Sequence, residues 1–352
     1  MFTQKLINWY AENGRQLPWR GTENPYYIWL SEIILQQTRI EQGWAYYERF
    51  LEEYPTVRDL AEASEEQVLK TWQGLGYYSR ARNLHAAARH IAYDLGGRFP
   101  DTYEGILALK GVGRYTAAAI ASFAFRLPYP VIDGNVYRFI SRLYGIYTPI
   151  GTDTAYREFD TLLLRLIDHE RPDLFNPALM DFGSTWCKPT GCDCEGCIFT
   201  QECVARREGK VGLLPVKPDK VKVKPRFFYY IDLRWPEEGK TMTLMHRREA
   251  GDIWQGLYEL PLVETDTPLE DSELIPTLRQ KLAEWFGTEP EEWTEGPCFQ
   301  HQLTHRLITA RFAKATYPHR PATIPDGLVA VGADEIKKLP VPRLIDKYLK
   351  SM

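Results

Sequence analysis

Apolar positions in the first two hundred residues recur at three- and four-residue intervals. WYAENG, YYIWLSEIILQQT, EEQVLKTWQGLG, SRARNLHAAARHIAYDLGG, YTAAAIASFAF, NVYRFISRLYG and REFDTLLLRLIDH carry that spacing, with Gly or Pro between them. β-branched alternation is scarce there, so residues 1–205 are predicted to be helical. From about residue 227 the period shortens to two. FFYYIDLRW, TMTLMHRR, LYELPLV and HRLITARFAKATY predict strands around one helix, PTLRQKLAEWFG, an α+β pattern over residues 227–352. Between the halves, residues 206–226 (RREGKVGLLPVKPDKVKVKPR) hold eight basic residues, two acids and three prolines. That composition predicts an interdomain linker lying near a polyanion.

Composition narrows this picture. A chain of 352 residues, 44% hydrophobic and 26% charged, suits two globular domains. It has no apolar run of membrane-spanning length, and MFTQKLINWYAENG is neither a signal nor a transit peptide. The expectation is a soluble, cytoplasmic protein with no membrane partner. A formal net charge of -4 confines any nucleic-acid surface to a local basic patch. Five of the six cysteines fall between Cys187 and Cys203, which favours metal binding over disulfides. Cys187, Cys194, Cys197 and Cys203 give C-x6-C-x2-C-x5-C, four soft ligands able to wrap one metal centre. Structural zinc accepts the same donors. Cys192 competes with Cys194 for one slot, and Cys298, alone in the second half, reads as a core thiol.

The tract LKGVGRYTAAAIASFAFRLPYPVIDGN (109–135) carries the candidate chemistry. Gly111 and Gly113 let backbone amides approach a ligand, and the start of the next helix favours an anion. With the amphipathic YEGILALK before it, the tract reads as a helix–hairpin–helix that grips a DNA backbone without reading sequence. Asp133 stands at a helix start, where amides and the helix dipole keep a carboxylate ionised. Glu32 lies among Ile28, Leu30, Ile33, Ile34 and Leu35, where partial burial would raise its pKa. One neutral and one ionised acid is the pairing that protonates a leaving group while stabilising an oxocarbenium-like sugar.

These motifs together resemble the helix–hairpin–helix DNA glycosylases of the endonuclease III type, whose cluster loop has the same cysteine spacing. LPWR (17–20), WLSEIILQQTR (29–39) and WQGLGYYSRARNLHAAA (72–88) resemble, within that superfamily, the MutY-type adenine DNA glycosylases. The resemblance covers essentially the whole chain. It implies a 4Fe-4S cluster on Cys187, Cys194, Cys197 and Cys203, with Cys192 a bystander. It implies that Glu32 protonates adenine and then assists water, that Asp133 stabilises the sugar cation, and that Tyr115 and Asn135 support them. Arg15, Leu17 and Arg20 would line the adenine pocket, while Gln37, Leu75 and Tyr77 would enter the duplex. The amides of Gly111 and Gly113 would hold the backbone. Tyr115 occupies the position of the endonuclease III lysine that forms a Schiff base, which implies a monofunctional enzyme.

GDIWQGLYELP (251–261) resembles a strand and turn of Nudix hydrolases. Aligned on Gly287, Lys281 and Trp285 replace glutamates of the magnesium-holding box and only Glu284 survives, so nucleotide hydrolysis is not expected. In MutY-type enzymes a Nudix-like domain recognises 8-oxoguanine opposite the adenine through a loop usually reading Phe-Ser-His. Here Leu303, Thr304 and His305 stand in that place. Pro177 replaces a Glu or Gln that commonly contacts adenine's exocyclic amine. The expected molecule is thus multidomain: an all-α glycosylase region with an iron–sulfur loop, followed by an α+β Nudix-like domain. The expected partner of this monomer is double-stranded DNA with A:8-oxoguanine or A:G mispairs. Two rival readings are an endonuclease III-like glycosylase/lyase and a non-catalytic DNA-binding protein.

Overall fold

The computed structural model describes residues 2–218 and 223–351. The helices are α1 (Phe2–Asn13), α2 (Pro25–Leu35), α3 (Ile40–Glu53), α4 (Val57–Glu62), α5 (Glu65–Thr71), α6 (Ser79–Arg89), α7 (Tyr103–Leu107), α8 (Arg114–Phe125), α9 (Gly134–Tyr144), α10 (Asp153–Leu166), α11 (Pro172–Asp181) and α12 (Val204–Arg207). A strand-rich half follows: β1 (Lys224–Glu237), β2 (Lys240–Arg247), β3 (Tyr258–Glu259), β4 (Leu262–Thr265), α13 (Asp271–Phe286), β5 (Glu292–Gln302), β6 (Arg306–Thr316), β7 (Leu328–Gly332), α14 (Ala333–Ile336) and α15 (Arg343–Leu349).

Contacts divide the chain into two compact units, one of Met1–Glu62 with Asn83–Asp219, the other of Ala63–Arg82 with Lys220–Met352. The boundaries read from sequence therefore shift. Residues 63–82 pack with the strand-rich unit: Lys70 Nζ donates to Leu339 O at 3.0 Å, and Arg82 Nη1 to Gln255 O at 2.8 Å. The stretch read as one linker also divides. Leu214 is buried in the helical unit and its carbonyl accepts from Arg142 Nε at 3.0 Å, whereas 224–226 opens β1. Residues 219–222 lie outside the described ones.

In the helical unit, α1, α9, α10 and α11 bury Leu6, Trp9, Val136, Phe139, Phe159 and Phe175 in one core. α2 is apolar nearly all round and buries eight of its eleven residues, which makes it a central helix. Its neighbour α8 buries Thr116 through Ser122, a run with four alanines, so the two backbones can approach closely. Helices α3 and α11 are absent from the sequence reading because Gly43 and Pro177 interrupt their patterns.

The second unit is built on a mixed sheet of order β3–β2–β1–β6–β5, with β4 also beside β1 and β7 beside β2. β1 and β6 run parallel, from Lys224 opposite Arg306 to Arg234 opposite Thr316. Alternation along β1 sends Tyr229, Ile231 and Leu233 to the face covered by Leu274, Leu278 and Leu282 of α13. Phe228 and Tyr230 face the other side, under Leu344 and Tyr348 of α15. β5 is an exposed edge strand with a register shift between Glu295 and Cys298, and its Gly296–Pro297 step hides it from the sequence pattern. Cys298 is exposed, not a core thiol.

Candidate active site

Burying α2 carries Glu32 inside, where it is only 6% exposed. Desolvation pushes its carboxyl up to about 7, against the opposing effects of a hydrogen bond from the Tyr115 hydroxyl and the nearby Arg20 charge. Asp133 also acts on Glu32, raising it, and both carboxylates push the enclosed Tyr115 hydroxyl well above its ordinary range, after desolvation. The two acids singled out from sequence thus share one neighbourhood.

Asp133 caps α9 as its position predicts. Its Oδ1 accepts from Asn135 N at 2.9 Å and Val136 N at 2.7 Å, and its Oδ2 accepts from Asn135 Nδ2 at 2.7 Å. The sequence expectation took these donors to dominate its titration. They do not: burial raises the Asp133 pKa in spite of the amides, the Asn135 side chain and Arg138, because desolvation of the carboxylate outweighs them. The Asn135 Oδ1 accepts from Arg138 Nη2 at 2.9 Å, and the same nitrogen donates to Gly183 O at 2.5 Å. Arg138 Nε donates to Cys187 O at 2.8 Å, which joins the Asp133 cap to the start of the cysteine loop. Gly183 packs directly on this segment: a Cβ there would lie 2.6 Å from Asn135 O.

A cavity of about 220 Å3 opens beside Glu32, lined among others by Tyr10, Trp19, Arg20, Ser31, Phe123 and Pro177. Arg20 stands in its wall with its guanidinium 5.8 Å from the Phe123 ring centre and Nη1 donating to Tyr10 Oη at 3.3 Å. Of the three residues expected to line the pocket, Arg20 alone has this place. Arg15 is drawn to Asp181, which accepts from Arg15 N at 2.9 Å and Nε at 3.1 Å. Leu17 turns its carbonyl to Arg20 N at 2.9 Å. Pro177 does line the cavity and offers it no side-chain hydrogen bond.

Sequence reasoning missed two buried polar residues of α11. Asp181, fully buried, accepts from Arg15 and lies 3.6 Å from Arg20 Nη2. Asn176 accepts from Val131 N at 2.9 Å and donates to Tyr129 O at 2.9 Å and Ser122 Oγ at 2.7 Å, which fixes the strand-like approach to Asp133. The available signal was polar residues inside the otherwise apolar PDLFNPALMD.

In the hairpin between α7 and α8, Gly111 has φ +79° and a Cβ there would meet the Asn83 side chain at 2.6 Å. Gly113 caps α8 with extended backbone, and both glycines are exposed, as an anion grip requires. Gln37 is exposed with φ +56°. In the other unit, Tyr77 has φ +47° and is 48% exposed. Two left-handed non-glycine residues at predicted DNA contacts fit the tendency of strain to gather at functional sites. Leu75 does not present itself: it is only 7% exposed, packed inside its unit.

Thr304 and His305 lie at the exposed tip joining β5 to β6, where Leu303 N donates to Arg306 O at 2.8 Å. The Thr304 hydroxyl is 3.0 Å from that of Tyr77. Tyr77, Trp254, Thr304 and His305 line one cavity of about 460 Å3. On α13, Lys281 pairs with Glu284 at 2.7 Å, so the one surviving box glutamate is neutralised. Trp285, on the same helix, supplies no carboxylate where the magnesium-holding box has one.

All five cysteines of the loop line one cavity, walled by Phe139, Leu143, Phe182 and Phe199 and faced by Arg142. Their neighbours differ: Cys187 Sγ lies 3.4 Å from Arg142 Nη1, Cys197 Sγ accepts from Phe199 N at 3.4 Å, and Cys203 Sγ donates to Arg142 O at 3.4 Å. Among the described residues, no three potential ligands converge as a ready site for one metal ion. The donor chemistry, soft thiols ringing a largely apolar cavity, fits an iron–sulfur group.

A helical unit with a hairpin grip and two acids at one buried site defines a base-excision glycosylase, and the comparisons agree. Residues 30–163 match the HhH-GPD superfamily base excision DNA repair proteins, and residues 235–351 match the NUDIX domain. The adenine DNA glycosylase of Buchnera aphidicola subsp. Acyrthosiphon pisum is 32% identical over 262 residues, 74% of this chain and 74% of its own. That of Rattus norvegicus is 40% identical over 231 residues, 62% of this chain but 45% of its own, so the match spans less than half of the mammalian protein. A thermostable thymine-DNA glycosylase structure aligns with TM-score 0.55 and 29% identity, over 59% of this chain and 95% of that one. The chain belongs to the adenine DNA glycosylase family of base-excision repair enzymes.

Proposed function

We propose that the protein hydrolyses the N-glycosidic bond of adenine mispaired with 8-oxoguanine or guanine, after the base is flipped into the cavity beside Glu32. The observation that carries this is the buried Glu32 carboxyl, poised at about 7 on the cavity wall, with Asp133 acting on it electrostatically. Flipping is required because a stacked base hides its glycosidic bond. A cavity of about 220 Å3 is smaller than the roughly 300–1,000 Å3 of drug-sized pockets and suits a single base.

Protonated Glu32 gives its proton to the adenine ring, so the base leaves neutral. Asp133, held by its cap and by Asn135, faces the positive charge that develops on the sugar. Glu32, now anionic, takes a proton from the attacking water. Tyr115 donates to the Glu32 anion and has no amine for a Schiff base, so the reaction ends in hydrolysis without strand cleavage. Tyr77, Thr304 and His305, which share one cavity of the strand-rich unit, are the candidates to read the base opposite adenine. Cys187, Cys194, Cys197 and Cys203 would hold a 4Fe-4S cluster, which when bound staples the 187–203 loop.

Single-turnover assays on A:8-oxoguanine, A:G, oxidised-pyrimidine and undamaged duplexes test this reading. Excision on the first two substrates alone is expected. Release of the pyrimidine with efficient borohydride trapping would point to a lyase instead.

A further inference from the structure

Five thiols, not four, line the loop cavity, and the geometry does not single out Cys192 as the spare one. Cys192 Sγ lies 3.7 Å from Cys194 Sγ, on the far side of Asp193. It also lies 3.8 Å from Arg142 Nη1, the nitrogen that approaches Cys187 Sγ. That guanidinium cannot drift. It is buried, and it donates to Lys188 O at 2.7 Å, Pro189 O at 3.2 Å and Leu214 O at 3.0 Å. Cys192 thus stands against the same fixed guanidinium as Cys187.

The turn between the two thiols is equally well held. Asp193 Oδ1 accepts from Glu195 N at 3.1 Å and Gly196 N at 3.0 Å, and Thr200 Oγ1 donates to Cys194 O at 2.6 Å. The pair therefore sits at one corner of the cavity with its two sulfurs in contact, 3.7 Å apart.

We propose that Cys192 and Cys194 are interchangeable as the ligand that closes the cluster site, beside fixed positions at Cys187, Cys197 and Cys203. This rests on reading the loop as an iron–sulfur site. Exchange is balanced without an oxidant: the incoming thiol gives up its proton as its sulfur binds iron, and the departing thiolate takes one up. No electron moves.

The test uses the full chain with C192S, C194S, the C192S/C194S double variant and C187S, each reconstituted anaerobically with iron and sulfide. Iron, acid-labile sulfide, visible charge-transfer absorbance and far-UV circular dichroism are read. Each single variant at the 192/194 corner is expected to keep iron within about twofold of the parent. The double variant and C187S are expected to fall below about one tenth. Loss of iron in C194S matching C187S would make Cys192 a bystander, and the same loss in C192S would make it the sole ligand. Either result overturns interchange, as does full iron in the double variant. If the double variant is insoluble, the two single variants against C187S still decide. A parent chain that takes up zinc but neither iron nor sulfide would defeat the cluster reading instead.

Discussion

Each unit buries a glutamate, and the two are treated in opposite ways. In the strand-rich unit, Glu259 is 1% exposed, accepts from Arg248 Nη1 at 2.7 Å and from the Tyr230 hydroxyl at 2.9 Å. Its neighbour Asp252 is held down to about 2, chiefly by hydrogen bonds from Arg226. In the helical unit, Glu32 is nearly as buried, but Arg20 acts on it only as a secondary influence, and the arginines there are committed to Asp181 and Tyr10. A buried acid given an arginine is an anion that holds structure together. A buried acid denied one keeps a proton near neutrality and can spend it on chemistry.

Substitutions that remove charge but keep shape should separate these roles. The largest effect is expected for Glu32→Gln: adenine release slowed about a thousandfold in single-turnover assays, with duplex affinity unchanged. The same variant should melt higher than the parent at pH 8 but not at pH 4.5. With a folded pKa of about 7 above the ordinary 4.5, the cost of burying the anion is absent below 4.5, grows through that window and is complete above 7. A lower melting point at pH 8 would place Glu32 with the structural acids.

Asp133→Asn is expected to slow release about a hundredfold while DNA binding persists. Parent-like rates would remove Asp133 from the chemistry. Glu259→Gln is the contrasting case, since it leaves Arg248 without its buried anion. Denaturant unfolding should show a loss of about 3 kcal/mol, and excision at a permissive temperature should hold. For the parent, the single-turnover rate should fall up to about tenfold per pH unit above 7, as Glu32 loses its proton. A flat profile from pH 6 to 9 would mean another group supplies it. The smallest effect belongs to Thr304→Val, which takes a hydrogen-bonding group from the Tyr77 cavity. The preference for A:8-oxoguanine over A:G should narrow about fivefold, as loss of one hydrogen bond of about 1 kcal/mol implies.

Much of this was legible in the chain. The apolar frame around Glu32 gave its burial and the direction of its pKa, because a helix hydrophobic on every side must be central. The N-cap at Asp133 was legible from its place before NVYRFISRLYG, but its titration was not, since desolvation depends on what packs over the cap. The hairpin glycines declared themselves by spacing. Asp181 did not, because its partners Arg15 and Arg20 are more than 160 residues away and nothing local links them. The burial of Leu75 was not legible either, because its cover comes from chain packing that the local sequence does not record. Residues 63–82 joined the strand-rich unit through contacts with chain nearly two hundred residues or more distant, which no composition boundary records.

Gly183 is not in the wall of the cavity beside Glu32, yet a single methyl group there would run into the Asn135 backbone, which cannot swing aside as a side chain would. For a gene under random change this makes position 183 a hidden point of failure. A one-methyl replacement would leave every acid, every thiol and every predicted DNA contact unaltered in the translated sequence. The chain would still carry the right acids around a displaced Asp133 cap.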